Sequence, residues 1–170
     1  MSKDLFMFLY KTYVRPDLEY CVQLWCPYMA KDIDLLEKVQ MRATKLVKGI
    51  GRLPYTTRLQ KLGLYSLYCR RQREDLKETY KILKGYYNIE WSQRLFVLNQ
   101  FQPTRGHSMK LYKNSQEQHF TIVVSLRVIN GWNSLPEYVV SASNISLFKK
   151  QLDFYWELGL GYGYEQRPSA

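Results

Sequence analysis

The clearest pattern of hydrophobic and polar positions in the chain lies between Leu35 and Ile50 and predicts an amphipathic helix. At about 100° per residue, the apolar side chains gather on one side of this helix: Leu35, Leu36, Val39, Ala43, Leu46, Val47 and Ile50. Basic side chains gather on the opposite side: Lys38, Arg42, Lys45 and Lys48. The stretch therefore predicts a helix with one face in a core and a basic face exposed to solvent.

A second helix of similar design is predicted over residues 67–84, with Ser66 as its N-cap. Its apolar face includes Leu76, Tyr80 and Leu83. Basic side chains form a stripe beside that face: Arg70, Arg73, Lys77, Lys81 and Lys84. Two helices of the chain thus repeat one design, an apolar face with a basic stripe.

The first predicted helix, Leu5–Val14, is apolar around nearly its whole circumference. A helix of this kind requires burial on all sides. One interpretation is a central helix of the domain. The other is that the chain is a fragment and that this helix once packed on something upstream, in which case it would now offer a surface for self-association or for a protein partner.

Shorter patterns complete the prediction. Residues 55–62 indicate a short helix that ends at Gly63. Two stretches separated by turn formers, 109–113 and 119–124, indicate a β-hairpin, and Ser143 is the predicted cap of a last amphipathic helix.

These elements predict a mainly α protein. A helical bundle is expected over residues 1–100, and a smaller α+β module containing the hairpin over residues 101–155. The turn-forming stretch Gln102–Gly106 marks the boundary between them. The tail, residues 156–170, lacks periodicity beyond its start and is expected to be mobile.

The distribution of charge adds a functional hypothesis. The chain has 170 residues and a formal net charge of +10. Residues 38–84 contain 13 basic and 3 acidic side chains and so carry the whole surplus, since the other segments nearly cancel. Such a block usually faces a polyanion, most often nucleic acid, although an anionic membrane surface satisfies the same charge. No apolar run is long enough to predict a membrane span.

Other chemistry has little support in the sequence. Three cysteines, Cys21, Cys26 and Cys69, leave one unpaired and form no disulfide framework, which predicts an intracellular protein of the nucleus or cytoplasm. Cys21 and Cys26 lie far from His107 and His119, so no zinc site is expected. Neither a nucleophile elbow nor a phosphate-binding glycine loop is present, and no cofactor is predicted.

Four segments together resemble the C-terminal region of reverse transcriptases from LINE-type, non-LTR retrotransposons of the chicken-repeat and jockey kind. They occur in the family's order and span about residues 5–155: Leu9–Trp25, Asp32–Val47, Thr104–Ser108 and Arg127–Pro136. In that family the matching region is a helical thumb and a C-terminal extension, which hold template and primer. The resemblance implies that the basic helices, together with Arg105 of the third segment, lie along a nucleic-acid backbone.

The same resemblance implies a chain without catalytic activity. The family's polymerase needs an adjacent pair of aspartates to hold its metal ions, and this chain contains no Asp-Asp pair. The expected function is therefore a non-catalytic fragment that binds RNA or DNA, either single-stranded or as an RNA–DNA hybrid. Three alternatives stay open: a polymerase that retains activity, an interaction module that uses Leu5–Val14, and a translated transposon relic with no function.

Overall fold

The structure is a computed structural model that describes residues 1–20, 30–87, 96–99, 106–112 and 128–158. These residues are mainly helical, which confirms the predicted fold class. Strand pairing within them is limited to one isolated antiparallel bridge between Leu98 and Leu111. Most of the predicted hairpin and all of residues 159–170 lie outside the described residues, so the hairpin and the mobile tail stay predictions.

Helices follow one another closely along the chain. Helix α1, Lys3–Leu9, continues through a π-helical turn, Tyr10–Val14, into α2, Arg15–Glu19. The later elements are α3 (Ala30–Lys45), α4 (Tyr55–Leu62), α5 (Leu67–Leu83), the helical residues 128–133, α6 (Glu137–Val140) and α7 (Ile145–Glu157). The short helix ending at Gly63 is confirmed, because α4 stops there and Gly63 adopts a left-handed conformation with φ of 63°.

The chain divides into two compact units, one built on Met1–Arg71 and the other on Gln72–Gly163. The division falls within α5. All but the last residue of Gln102–Gly106, where the sequence places a domain boundary, lie outside the described residues, so the predicted domains stay predictions.

The core of the first unit joins α1, α4 and the segment after α3. Phe6 and Tyr10 of α1 and the following turn stack on each other, with ring centroids 5.4 Å apart. They belong to a cluster of buried apolar side chains: Phe6, Tyr10, Val47, Leu59, Leu62 and Leu64. Burial of these residues stabilises the unit through the removal of apolar surface from water.

Helix α3 and the turn after it meet this core with only part of the predicted apolar face: Val47 is buried in the core, and Ala43 and Ile50 pack against it. Leu35, Val39 and Leu46 are 56%, 41% and 63% exposed, so the expectation that they enter the core is wrong. The buried positions of the segment are instead mostly polar: Glu37, Gln40, Thr44 and Val47.

Hydrogen bonds explain why polar side chains of α3 can be buried. Gln40 accepts a hydrogen bond from the hydroxyl of Tyr10 at 2.5 Å and donates one to the carbonyl of Tyr65 at 2.9 Å. A buried polar group with satisfied partners avoids the desolvation penalty of an unpaired one. The two bonds therefore fix the rotation of α3 and leave Leu35 and Val39 at the surface.

The carboxylate of Glu37 links α3 to two other helices. It accepts hydrogen bonds from the backbone N–H groups of Leu67 and Tyr68, both at 3.3 Å, and from the hydroxyl of Tyr55. Burial, together with the charge of Glu37, raises the pKa of Tyr55 and keeps its hydroxyl a donor. Glu37 thus satisfies free donors at the start of α5, where the predicted cap Ser66 also accepts from Cys69 at 3.2 Å.

Helix α3 ends at Lys45, five residues earlier than its pattern predicts. The chain turns back so closely that a Cβ on Gly51 would lie 2.7 Å from the carbonyl oxygen of Lys45. Arg58 of α4 is buried beneath this turn and donates to the carbonyls of Met41, Gly51 and Leu53, each at 3.2 Å. One guanidinium therefore fixes the segment that follows the helix.

The second unit is built around aromatic side chains. Tyr80 and Phe148 stack with centroids 4.4 Å apart, and the Tyr80 hydroxyl donates to the carbonyl of Ala142 at 2.7 Å. The cap of α7 is Asn144, which accepts from the N–H of Leu147 at 2.9 Å, and not the predicted Ser143. Both residue types are good caps, so their sequence alone does not decide between neighbours.

Two separate segments of the second unit are joined by His107 and Trp132, which are both fully buried. Nδ1 of His107 accepts from the N–H of Met109 at 3.2 Å, so the ring proton lies on Nε2, which donates to the carbonyl of Trp132 at 2.9 Å. The indole N–H of Trp132 donates to the carbonyl of Met109 at 2.8 Å. These hydrogen bonds therefore fix the tautomer of the neutral ring, with its proton on Nε2.

The same two segments meet at Asn133 and Glu137. The amide of Asn133 accepts from the N–H of Leu111 at 2.8 Å and donates to its carbonyl at 2.9 Å, which reproduces the hydrogen bonds of a neighbouring strand. The carboxylate of Glu137 accepts from the N–H and hydroxyl of Ser108 at 2.7 and 2.9 Å. These contacts stabilise residues 106–112 without regular secondary structure.

Acidification from pH 7.5 to 5.5 is expected to destabilise the protein through His107. Burial lowers the pKa of His107 below its usual value of about 6.5; the hydrogen bond to Trp132 and the charge of Glu137 oppose this effect, and Lys110 adds to it. The unfolded chain then binds the proton more tightly, so the stabilisation is complete above about pH 6.5 and is lost as the pH falls below it. Urea denaturation followed by circular dichroism at the two pH values measures the change.

The uptake of one proton by His107 can change the free energy of unfolding by at most about 1.4 kcal/mol per pH unit. The variant His107→Gln should be less stable at pH 7.5 but show a flatter pH dependence. Hydrogen bonds from Ser108 lower the pKa of Glu137, so that carboxylate stays ionised across this range. An equal slope in wild type and His107→Gln would contradict the expectation.

Candidate nucleic-acid interface

The predicted basic side chains of α3 lie at the protein surface. Lys38, Arg42 and Lys45 are exposed, and none of them forms an ion pair or a side-chain hydrogen bond with the part of the chain that the structure describes. Lys48 is also exposed, but it lies in the turn beyond the helix, where its backbone N–H donates to the carbonyl of Met1 at 3.0 Å. The structure therefore brings three of the four predicted residues onto one helix face and places the fourth just past its end.

Lys31 belongs to the same surface, although the sequence pattern did not include it. It is exposed and lies two helical turns before Lys38, which in turn lies two turns before Lys45. The spacing of seven residues would have revealed it if the pattern had been extended to the start of the helix. We refer to Lys31, Lys38, Arg42 and Lys45 as the cation row.

Part of the cation row has a purely structural explanation. Arg42 and Lys45 lie in the last turn of α3, where positive charge complements the negative end of the helix dipole. The negative charge of Asp32 complements the positive end in the first turn. The dipole does not account for Lys31 and Lys38, which lie away from the C-terminal turn. The helix dipole therefore accounts for only part of the row.

The basic stripe of α5 differs from that of α3, because its charges are used in contacts within the chain. Arg70 forms a two-pronged ion pair with Glu19, and Arg73 forms one with Asp153, with both contacts at 2.7 Å. Planar pairs of this kind are the most specific that arginine makes with carboxylates.

The lysines of α5 are also engaged. Lys77 pairs with Glu74 and Lys81 with Glu78 at 2.6 Å, and the hydrogen bond to Glu78 raises the pKa of Lys81. Lys84 is exposed, with its ammonium 5.8 Å from the centre of the Tyr80 ring. The nucleic-acid-binding role of these residues stays a prediction, as does that of Arg105, which lies outside the described residues.

Exposed aliphatic side chains run beside the cation row. We refer to Leu35, Val39 and Leu46 as the apolar ridge; the first two lie on α3 and Leu46 directly follows it. At 100° per residue, the ridge and the row together cover an arc of about 120° on the helix. The solvent-facing surface of α3 thus combines large apolar groups with cations that have no ionic partner among the described residues.

Helix α1 and the turn after it are not buried on all sides. Phe6 and Tyr10 face the core, whereas Leu5, Phe8 and Tyr13 are 50%, 61% and 64% exposed. The interpretation of Leu5–Val14 as a central helix is therefore wrong, since one side of it faces solvent. Its role in binding a partner stays a prediction.

Metal binding and membrane insertion find no support in the described residues. The described residues contain no group of three or more histidine, cysteine or acidic side chains that could hold a metal ion, and Cys21, Cys26 and His119 lie outside them. Among the same residues, no helix has the length and apolar character needed to cross a bilayer. Cys69 is a buried thiol whose pKa is raised by burial, which makes it a weak nucleophile.

Comparisons of the chain with protein-family models, with curated proteins and with solved structures find no match. The chemistry of the described surfaces is therefore the basis on which a function is proposed.

Proposed function

We propose that the chain is a non-catalytic nucleic-acid-binding protein that uses the cation row of α3, with Lys48, to bind the phosphate backbone of RNA or DNA. The observation that carries the proposal is the contrast between the two basic helices. Arg70, Arg73, Lys77 and Lys81 of α5 are bonded to carboxylates, whereas the exposed cations of α3 have no anionic partner within the described residues.

Unpaired cations at helical spacing suit a phosphate backbone for a simple reason. Each phosphate that a lysine or arginine neutralises releases condensed counterions, so binding is strong at low salt and falls steeply as salt rises. Such contacts position a nucleic acid without reading its sequence. The resemblance to retrotransposon reverse transcriptases supports the same partner and provides no catalytic residues for this chain.

Neutralising the cations of α3 is expected to weaken binding at least ten-fold at low salt. The test variant carries Lys38→Gln, Arg42→Gln, Lys45→Gln and Lys48→Gln, and its binding to fluorescein-labelled oligonucleotides is followed by anisotropy at several salt concentrations. The slope of log K against log salt should decrease in magnitude by about three, because each phosphate contact contributes roughly one unit or slightly less.

The matched control removes four other exposed lysines, with the same change in net charge: Lys3→Gln, Lys11→Gln, Lys61→Gln and Lys150→Gln. It should retain most of the affinity. Equal losses in the two variants would show that only total charge matters, and undetectable binding by the wild-type chain at low salt would remove the proposal altogether.

The exposed side of Leu5–Val14 favours a second candidate, in which the chain associates with itself or with a protein. Light scattering on the same wild-type samples measures the molecular mass of the protein in solution and so tests self-association. A monomer at all concentrations would count against this form of the candidate.

A further inference from the structure

The surface of α3 is asymmetric. The cation row lies along one flank of the apolar ridge, while the opposite flank carries Asp32 and the partly buried side chains of Leu36 and Ala43. Positive charge therefore faces a ligand from one side of the ridge only. The ridge itself is formed by aliphatic side chains that stay in water although polar Glu37 and Gln40 occupy the interior.

This asymmetry does not match a nucleic-acid duplex. A helix that enters the major groove meets a phosphate backbone on each side and needs positive charge on both flanks. A duplex that lies against the outside of the helix would contact the cations and leave the ridge in water. The first arrangement therefore lacks positive charge on one flank, and the second does not use the apolar groups.

A single strand matches the surface, since it has phosphates along one side and unpaired bases along the other. Resting on the proposed function, we infer that α3 binds single-stranded nucleic acid, with its phosphates on the cation row and its bases packed on the apolar ridge. From Lys31 to Lys45 the row is about 21 Å long, which corresponds to roughly six stacked nucleotides.

An anionic membrane matches the surface less well. A bilayer is a broad plane that would approach both flanks of the ridge and bring its headgroups against Asp32. A single strand can follow the row without meeting that side of the helix. Vesicles are therefore included in the test as a competing ligand.

The test uses the full chain with labelled 12-nucleotide single strands of DNA and RNA, the corresponding duplexes, and vesicles containing phosphatidylserine. The variant Leu35→Gln with Val39→Gln removes the apolar character of the ridge and leaves every charge in place. Single-strand binding should weaken about ten-fold, within the range measured for loss of base contacts, with an unchanged salt slope. Duplex binding should be weaker than single-strand binding in the wild type and unaffected by the variant.

The matched control is Phe154→Gln with Leu158→Gln, two exposed apolar residues at the same spacing at the C-terminal end of α7. It should bind single strands like the wild type, and urea denaturation verifies that both variants are folded. Equal binding of duplex and single strand, or no effect of the ridge variant, would overturn this inference. The proposed function would still stand in that case if neutralising the cations of α3 weakens binding. Tighter binding of vesicles that the ridge variant abolishes would overturn it in favour of a membrane surface. Absence of all nucleic-acid binding would remove both.

Discussion

Replacing Trp132 by alanine is expected to destabilise the protein by about 4 kcal/mol. The side chain is fully buried, stacks at 6.1 Å on Phe148 and donates its indole N–H to the carbonyl of Met109. Its removal leaves a cavity and a carbonyl without its donor, so the loss of packing and the loss of a hydrogen bond act together. The midpoint of urea denaturation measures the change.

The control for this substitution is Phe154→Ala, which removes an exposed aromatic ring from α7. Its effect should stay within about 0.5 kcal/mol, as is usual for surface positions. The variant Trp132→Phe keeps most of the ring and loses the indole donor, so it should lie between the two. Equal stability of Trp132→Ala and Phe154→Ala would show that the indole does not anchor the second unit.

Replacing Glu37 by alanine is expected to cost about 4 kcal/mol. The substitution removes three hydrogen bonds to a carboxylate and leaves the buried N–H of Leu67 without its acceptor. It also withdraws a negative charge from the positive end of α5. Urea denaturation of the variant should show a lower midpoint, and helix content should fall if α5 frays.

Two further variants separate these contributions. Tyr55→Phe removes one of the three hydrogen bonds to Glu37 and should cost about 1 kcal/mol. Asp32→Asn, in the first turn of α3, should lower the free energy of unfolding by less than about 1 kcal/mol. If Glu37→Ala were no more harmful than Asp32→Asn, the carboxylate would not be a structural centre of the first unit.

The positions of most described helices could be predicted from periodicity, caps and glycines, but the rotation of α3 could not. A helical wheel sorts side chains by polarity and assigns Leu35, Val39 and Leu46 to the core. Gln40 is buried because Tyr10 and Tyr65, distant in sequence, supply its hydrogen-bond partners. The polarity of a side chain predicts that it is exposed only when the fold offers it no hydrogen-bond partners in the interior.

The difference between the two basic stripes also depends on partners that are distant in sequence, so the sequence alone could not predict it. Arg70 pairs with Glu19 and Arg73 with Asp153, across 51 and 80 residues of sequence. Only the folded chain shows these pairs. The pairs of Lys77 and Lys81 with Glu74 and Glu78 could have been anticipated, because residues three apart on a helix are neighbours.

His107 shows how a residue with no obvious role in the sequence can be central to the fold. It lies in one of the segments that resemble the retrotransposon family, and Trp132 lies in another. Hydrogen bonds between these two segments explain structurally why a histidine occupies position 107 and a tryptophan position 132. The residue types at these two positions are therefore explained by packing and hydrogen bonding within the second unit.

The buried guanidinium of Arg58 also affects the thermodynamics of association. Its bonds to the carbonyls of Met41, Gly51 and Leu53 order the backbone beside Lys45 and Lys48 during folding. Ordering a backbone costs about 1–2 kcal/mol per residue, and here that cost precedes any encounter with a ligand. Only the side chains of the lysines then lose freedom on binding, at about 1 kcal/mol each. The surface is thus preorganised, which favours a smaller entropic penalty than a flexible basic tail of equal charge would incur.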